Sequence, residues 1–312
     1  MLNEEQRIKN LECPEDRVDI VIDSDTYNEI DDQFAISYAI HAPEKITVKA
    51  LYAAPFTNER SSGPADGMEK SFQEILKLLD LADQAGKFPV FRGSERYLPD
   101  EKTPVASDAA ADLVRRAGQY SSKHPLYVVS IGAITNIASA LLTDPAIAEK
   151  MVVIWLGGNG LHWPDNMEFN CSQDIAAARI VFSSGTPLIL LPCMGVVSSF
   201  TTTGPELEYW LKGKNALCDY LVENTISAAE EYAKGRVWSR VIWDVTAVGW
   251  LLNDSNRLML DRLVPTPVPG YDHHYLVDPS RPLCRMVYHI HRDALFADLC
   301  TRLSSSVHVT GI

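Results

Sequence analysis

Positive charge is scarce in this sequence. Lys and Arg number 28 against 41 Asp and Glu over 312 residues, for a formal net charge of -13. A surface that tracks a phosphate backbone needs clustered Lys and Arg, so nucleic-acid polymers are excluded as partners. Anionic membranes are disfavoured on the same ground. No apolar run is long enough to span a bilayer. Met1 to Arg17 is polar and charged and lacks the apolar centre of a signal peptide, so a cytoplasmic protein is expected. The six cysteines form no CxxC pair and match no zinc spacing, which points to reduced, buried thiols. There is no Walker loop, no GxGxxG, no nucleophile elbow, no internal repeat and no low-complexity linker.

Apolar material, by contrast, is plentiful at 46%. Short runs rich in β-branched residues read as buried strands. These are Val18–Asp23, Ile46–Ala53, Phe88–Phe91, Leu126–Ser130, Met151–Leu156 and Pro187–Leu191. Between them lie helical patterns at Ile30–Ile40, Met68–Ala85, Ala106–Tyr120, Thr135–Leu142 and Asp174–Ser183. In the first of these, Phe34, Ala35, Tyr38 and Ala39 share one side. Alternation of this kind predicts an α/β fold, a mostly parallel open sheet with helices on both faces. Pro205–Leu252 reads as mostly helical, Val264–Pro282 as a loop or small hairpin, Arg285–His289 as a last strand and Arg292–Leu303 as a closing helix. No boundary interrupts the pattern, so residues 1–312 are expected to form a single domain. In such sheets ligands bind outside the carboxyl ends of the strands.

Chemistry gathers at the first of those ends. Asp23, Asp25, Glu29, Asp31 and Asp32 fall within ten residues. One or two of them could cap the following helix. Five cannot be packed together cheaply, because mutual repulsion raises their pKa values or costs stability. A hard divalent cation removes the conflict. Calcium, with about six to eight oxygen ligands, and magnesium, with a stricter octahedron, both fit. The spacing is not that of an EF-hand loop.

Asp23-Ser24-Asp25 followed by Asp31-Asp32-Gln33-Phe34-Ala35 resembles the N-terminal signature of the nucleoside hydrolases of the inosine-uridine-preferring type. Four further segments resemble that family in the same order: Ser130–Ala138, Gly157-Gly158 with Glu168-Phe169-Asn170, Trp243-Asp244 and Val287–Leu303. The resemblance spans about residues 18 to 303. It implies a nucleoside hydrolase-like domain holding one calcium ion. Its ligands would be the side chains of Asp25, Asp32 and Asp244 and the backbone carbonyl of Ile131. Asp31 would face the ribose hydroxyls, Glu168 and Asn170 would hydrogen-bond the sugar, and Asn58 is a further candidate for that role. Asp25 would act as general base toward a metal-activated water, and the surrounding carboxylates would stabilise the oxocarbenium-like sugar. The implied activity is calcium-dependent cleavage of ribonucleosides to ribose and free base, by a homo-oligomer, dimer or tetramer.

Three features depart from the family pattern. The turn Thr26–Ile30 is two residues longer than usual and lacks Pro-Gly. Trp243 stands where many members carry a His that helps the base leave. The loop Asn159–Met167 does not align, leaving His162 or Asn166 as candidates to reach the substrate. Trp163 and Trp243 read either as packing residues or as surfaces for stacking on a nucleobase. His273-His274 and His289-x-His291 read as surface residues. Two alternatives follow: a hydrolase of another N-ribosyl compound, such as a modified nucleoside or nicotinamide riboside, and a non-catalytic calcium-dependent nucleoside binder.

Overall fold

The structure is a computed structural model and describes residues 2–305. Its strands are β1 (Val18–Ser24), β2 (Ile46–Ala53), β3 (Val90–Arg92), β4 (Leu126–Ser130), β5 (Met151–Leu156), β6 (Leu188–Leu191), β7 (Thr201–Thr202), β8 (Arg240–Val241), β9 (Met259–Pro265), β10 (Val268–Pro269), β11 (Tyr275–Leu276) and β12 (Leu283–Ile290). The α-helices are α1 (Glu4–Asn10), α2 (Asp32–Ile40), α3 (Pro64–Leu81), α4 (Asp108–Ala117), α5 (Thr135–Thr143), α6 (Phe169–Gln173), α7 (Ile175–Ser183), α8 (Gly204–Leu211), α9 (Ala216–Ala233), α10 (Val245–Leu251) and α11 (Arg292–Leu303).

Eight strands form one sheet in the order β3-β2-β1-β4-β5-β6-β12-β9. Every neighbouring pair is parallel except β12 and β9. The predicted α/β class, mostly parallel with helices on both faces, is the fold found. Successive side chains of a strand point to opposite faces, and here both faces are covered. Ile20, Ile22, Val129 and Ile154 pack on one side with α2, α3, α10 and α11. Val21, Val128, Val153 and Trp155 pack on the other with α4, α5 and α7. That is why β4, β5 and β6 are unbroken apolar runs, as strands buried on both faces must be.

Two elements differ from the sequence reading for clear physical reasons. Helix α2 is not amphipathic: all nine of its residues are buried, because α10 and α11 cover the side turned from the sheet. The Val264–Pro282 region is a hairpin, β10 with β11, but it is preceded by an unforeseen strand, β9, on the sheet edge. The β9 sequence MLDRLVP carries Asp, Arg and Pro, residues suited to a half-exposed edge and hidden from any search for apolar alternation. Among the described residues no helix is long and apolar enough to cross a membrane.

The strand order reverses beside β1, with β2 on one side and β4 on the other. The crevice at such a switch point lies beyond the carboxyl ends of the strands. Here those ends are Ser24 of β1, Ser130 of β4 and Leu156 of β5.

Candidate active site

A cleft of about 220 Å³ opens over these strand ends. Asp25 follows β1, Ile131 follows β4, and Leu156 ends β5 on its floor. Asp31 and Asp32 start α2, and Asp244 arrives from the far end of the chain at the start of α10. The four aspartates are at most 4% exposed.

Capping does not account for them. Asp31 and Asp244 each hold the N-cap position of a helix, and neither side chain makes a capping hydrogen bond. Their carboxylates turn inward instead. One oxygen each of Asp31, Asp32 and Asp244 lie within 4.8 Å of one another, close enough to share a metal ion. The oxygen Oδ2 of Asp25 is buried and has no hydrogen-bond partner. Ser24 donates its hydroxyl to Asp32 Oδ1 at 2.6 Å and fixes that carboxylate.

The electrostatics match the geometry. Burial pushes Asp25 well above the usual carboxylate range, and the charges of Asp32 and Asp31 push the same way. Burial and the charge of Glu29 raise Asp31 to about 7. Burial and the charge of Asp31 raise Asp32 to about 8. Asp244 rises well above its ordinary value from burial and from Asp31, Asp32 and Asp25. Four carboxylates that repel one another, one with an orphaned oxygen, form a donor set that suits a hard cation with oxygen ligands.

The structure brings together Asp25, Asp31, Ile131, Glu168, Asn170, Trp243 and Asp244 around the cleft. Asp31, Asp32 and Asp244 make the close trio, and Asp25, a metal ligand by the resemblance, lines the same cleft. The carboxylate of Glu168 is occupied: it accepts backbone N–H bonds from Gly158 at 2.7 Å and from Asn170 and Cys171 at 2.9 Å. Asn170 directs its amide N–H₂ to the carbonyls of Leu156 at 3.0 Å and Ile131 at 3.4 Å, tying two strand ends together.

The remaining candidates lie outside the lining. Asn58 donates to the side chain of Asn28 at 2.6 Å. Asn166 accepts from the backbone of Asn159 at 2.7 Å and donates to Cys171 Sγ. His162 and Trp163 are exposed, with the His162 ring against Gly160 and Gly195. The loop from Gly157 to Met167 packs closely against β11: at Gly158, with φ +70°, an added Cβ would stand 2.0 Å from the Tyr275 hydroxyl.

Sequence reasoning missed the supports. The long turn Tyr27–Ile30 is held by Asn58, by Arg60, which donates to the carbonyl of Glu29 at 3.0 Å, and by Arg240, which pairs with the Glu29 carboxylate at 2.5 Å. Asn136 donates to Asp23 Oδ1 at 2.7 Å, so Asp23 supports β1 from behind and lies outside the cleft lining. A polar residue within the Ser130–Ala138 segment was the available signal for that bond.

Comparison with known proteins agrees with this geometry. The chain is 27% identical over 278 residues to the pyrimidine-specific ribonucleoside hydrolase RihA of Salmonella paratyphi A, covering 80% of this chain and 85% of that one. Its fold is similar to a plant nucleoside hydrolase, PpNRh1 (TM-score 0.74, 19% identity, 92% of this chain and 99% of that one). It is also similar to a purine-preferring ribonucleoside hydrolase from Gardnerella vaginalis (TM-score 0.73, 19% identity, 92% and 98%). The inosine-uridine preferring nucleoside hydrolase family profile matches residues 20–277, and with the acidic cleft at the switch point this places the chain in that family of N-glycosyl hydrolases.

Proposed function

We propose that the protein is a calcium-dependent hydrolase that cleaves the N-glycosidic bond of ribonucleosides, releasing ribose and free base. The observation that carries this reading is the inward-turned set Asp25, Asp31, Asp32 and Asp244, two of them at helix N-caps they do not cap. Asp25, Asp32, Asp244 and the carbonyl of Ile131 would hold the cation, with Asp31 close enough to join them or to meet the ribose diol. When bound, calcium offsets the carboxylate charge and acidifies water.

The rest is the work of the chain. Asp25, with its free Oδ2, accepts a proton from the attacking water. Asp31, Asn170 and the capped Glu168 line the sugar subsite and fix the ring over the strand ends. The clustered carboxylates stabilise positive charge as it develops on the sugar. Trp243 offers a flat apolar wall for the base, and Asn58 holds the turn that carries Asn28 and Glu29 to the cleft. Trp163, His162 and Asn166 belong to the loop beside it, outside the lining.

We also take the chain to act as one domain in the cytoplasm, which its six free cysteines suit. It would work as a dimer or tetramer, for which exposed Tyr209, Trp210 and Tyr232 offer apolar surface.

Release of base from uridine, cytidine, inosine and adenosine by the calcium-loaded protein tests the reading. Turnover of at least one supports it. Calorimetric binding of nucleosides with no product would instead indicate a non-catalytic binder.

A further inference from the structure

Cleaving the C1′–N bond of a neutral nucleoside leaves the electron pair, and a negative charge, on the departing base. A proton donor beside that base ordinarily relieves it, a contribution of roughly 10²–10⁴-fold. The cleft has a deep, buried floor of aspartates and a more exposed mouth. The mouth is formed by Asn28, Glu29, Met167, Phe169, Met194 and Trp243. None of these is an acid suited to protonating a base. Met167, Phe169, Met194 and Trp243 carry no ionisable proton, and Asn28 is a neutral amide. Glu29 is tied up in an ion pair with Arg240, which meets its carboxyl group at 2.5 Å from outside the lining.

The deeper titratable groups do not fill the gap. Glu168 accepts three backbone N–H bonds through its carboxylate. Cys193 lines the cleft but is itself buried. The aspartates belong to the floor, against the sugar. Among the described residues no Lys, Arg or His lines the cleft. What the mouth does offer is the carboxyl group of Glu29 together with the aromatic side chains of Trp243 and Phe169, residue types that attract cations.

Resting on the hydrolase reading above, we propose that the preferred substrates are N-ribosides whose aglycone is already cationic, N-ribosylpyridinium compounds or purines quaternised on the ring. Their chemistry dispenses with the missing acid. Water attacks C1′, the C1′–N bond breaks, and its electron pair returns to the ring nitrogen, cancelling the positive charge. The aglycone leaves neutral and unprotonated, ribose carries the new C1′–O bond, and the water's proton passes to Asp25 and on to solvent. The carboxylates attract the cationic ring on entry, and the loss of its charge on cleavage weakens its hold on the mouth.

The test compares kcat/KM for nicotinamide riboside and 7-methylguanosine with kcat/KM for uridine, inosine and guanosine, using one preparation of calcium-loaded protein. The expected result is a preference of roughly 10²-fold or more for the cationic members, the lower end of what a proton donor supplies. The 7-methylguanosine to guanosine ratio isolates the charge on a single scaffold. Neutral nucleosides cleaved as fast as their cationic counterparts would overturn the substrate assignment while leaving the hydrolase reading intact. No turnover of any of the five would overturn both.

Discussion

Asp31 and Asp244 stand at the N-caps of α2 and α10, and each leaves its own helix uncapped so that the two carboxylates can approach one another and Asp32. A capping carboxylate ordinarily gains about 0.5–2 kcal/mol for its helix. Two helices forgo that gain at one place, and the charges set free are driven together inside the protein. Protonation relieves that repulsion in part, and a cation of opposite sign would relieve it further.

Chelation should lower the melting temperature, and calcium should restore it. A cation bound only by the folded state stabilises by about 2.7 kcal/mol at a hundred times its dissociation constant. Differential scanning fluorimetry with EDTA, then with calcium in excess, reads the shift. Identical curves would mean that the carboxylates hold no ion.

Asp25→Asn should separate stability from activity. The amide keeps the shape and removes a buried charge that Asp32 and Asp31 oppose. The metal-free variant should therefore melt higher than metal-free wild type. Its ribonucleoside turnover should fall by roughly 10²–10⁴-fold with the loss of the general base. Wild-type turnover in the variant would remove Asp25 from the chemistry.

Asn58→Ala should act through the turn. It deletes the bond from Asn58 to the Asn28 side chain. A cost of about 1 kcal/mol in stability is expected, with a comparable loss of up to about tenfold in kcat/KM as Asn28 and Glu29 lose their position. A much larger loss of activity at unchanged stability would point to direct contact with substrate.

The Asp298 carboxyl should give the protein an acid-sensitive anchor. Burial alone would raise it, but hydrogen bonds from Tyr38 and Arg302 and the charge of Arg257 together hold it below its ordinary value. A carboxyl lowered in the folded state adds stability above its unfolded pKa and loses it as pH falls through the folded value. Wild type should thus lose stability relative to Asp298→Asn as pH drops below the ordinary carboxylate range, with the gap largest near neutrality. Urea midpoints from pH 7 down to pH 3 measure this. A gap independent of pH would contradict the assignment.

The sheet was legible because its strands are buried on both faces and therefore read as unbroken apolar runs, as in Met151–Leu156. Edge strand β9 was not, because an edge tolerates Asp, Arg and Pro. Helix α2 was found without its amphipathicity, since the burial of its outer face depends on α10 and α11 from the far end of the chain. At the site, the acidic crowding between Asp23 and Asp32 was visible in the sequence because charge density needs no tertiary information. Which aspartate meets which was not: Asp23 turns toward Asn136, and Asp31 approaches Asp32 and Asp244. The supports of the long turn, Arg60 and Arg240, lie in other segments and carry no local signal.

The most direct test of the central claim is ribonucleoside hydrolysis by chelator-stripped protein before and after calcium is returned. Negligible release of base in EDTA and recovery on addition of calcium are expected. Undiminished hydrolysis in EDTA, or none after calcium is restored, would contradict it.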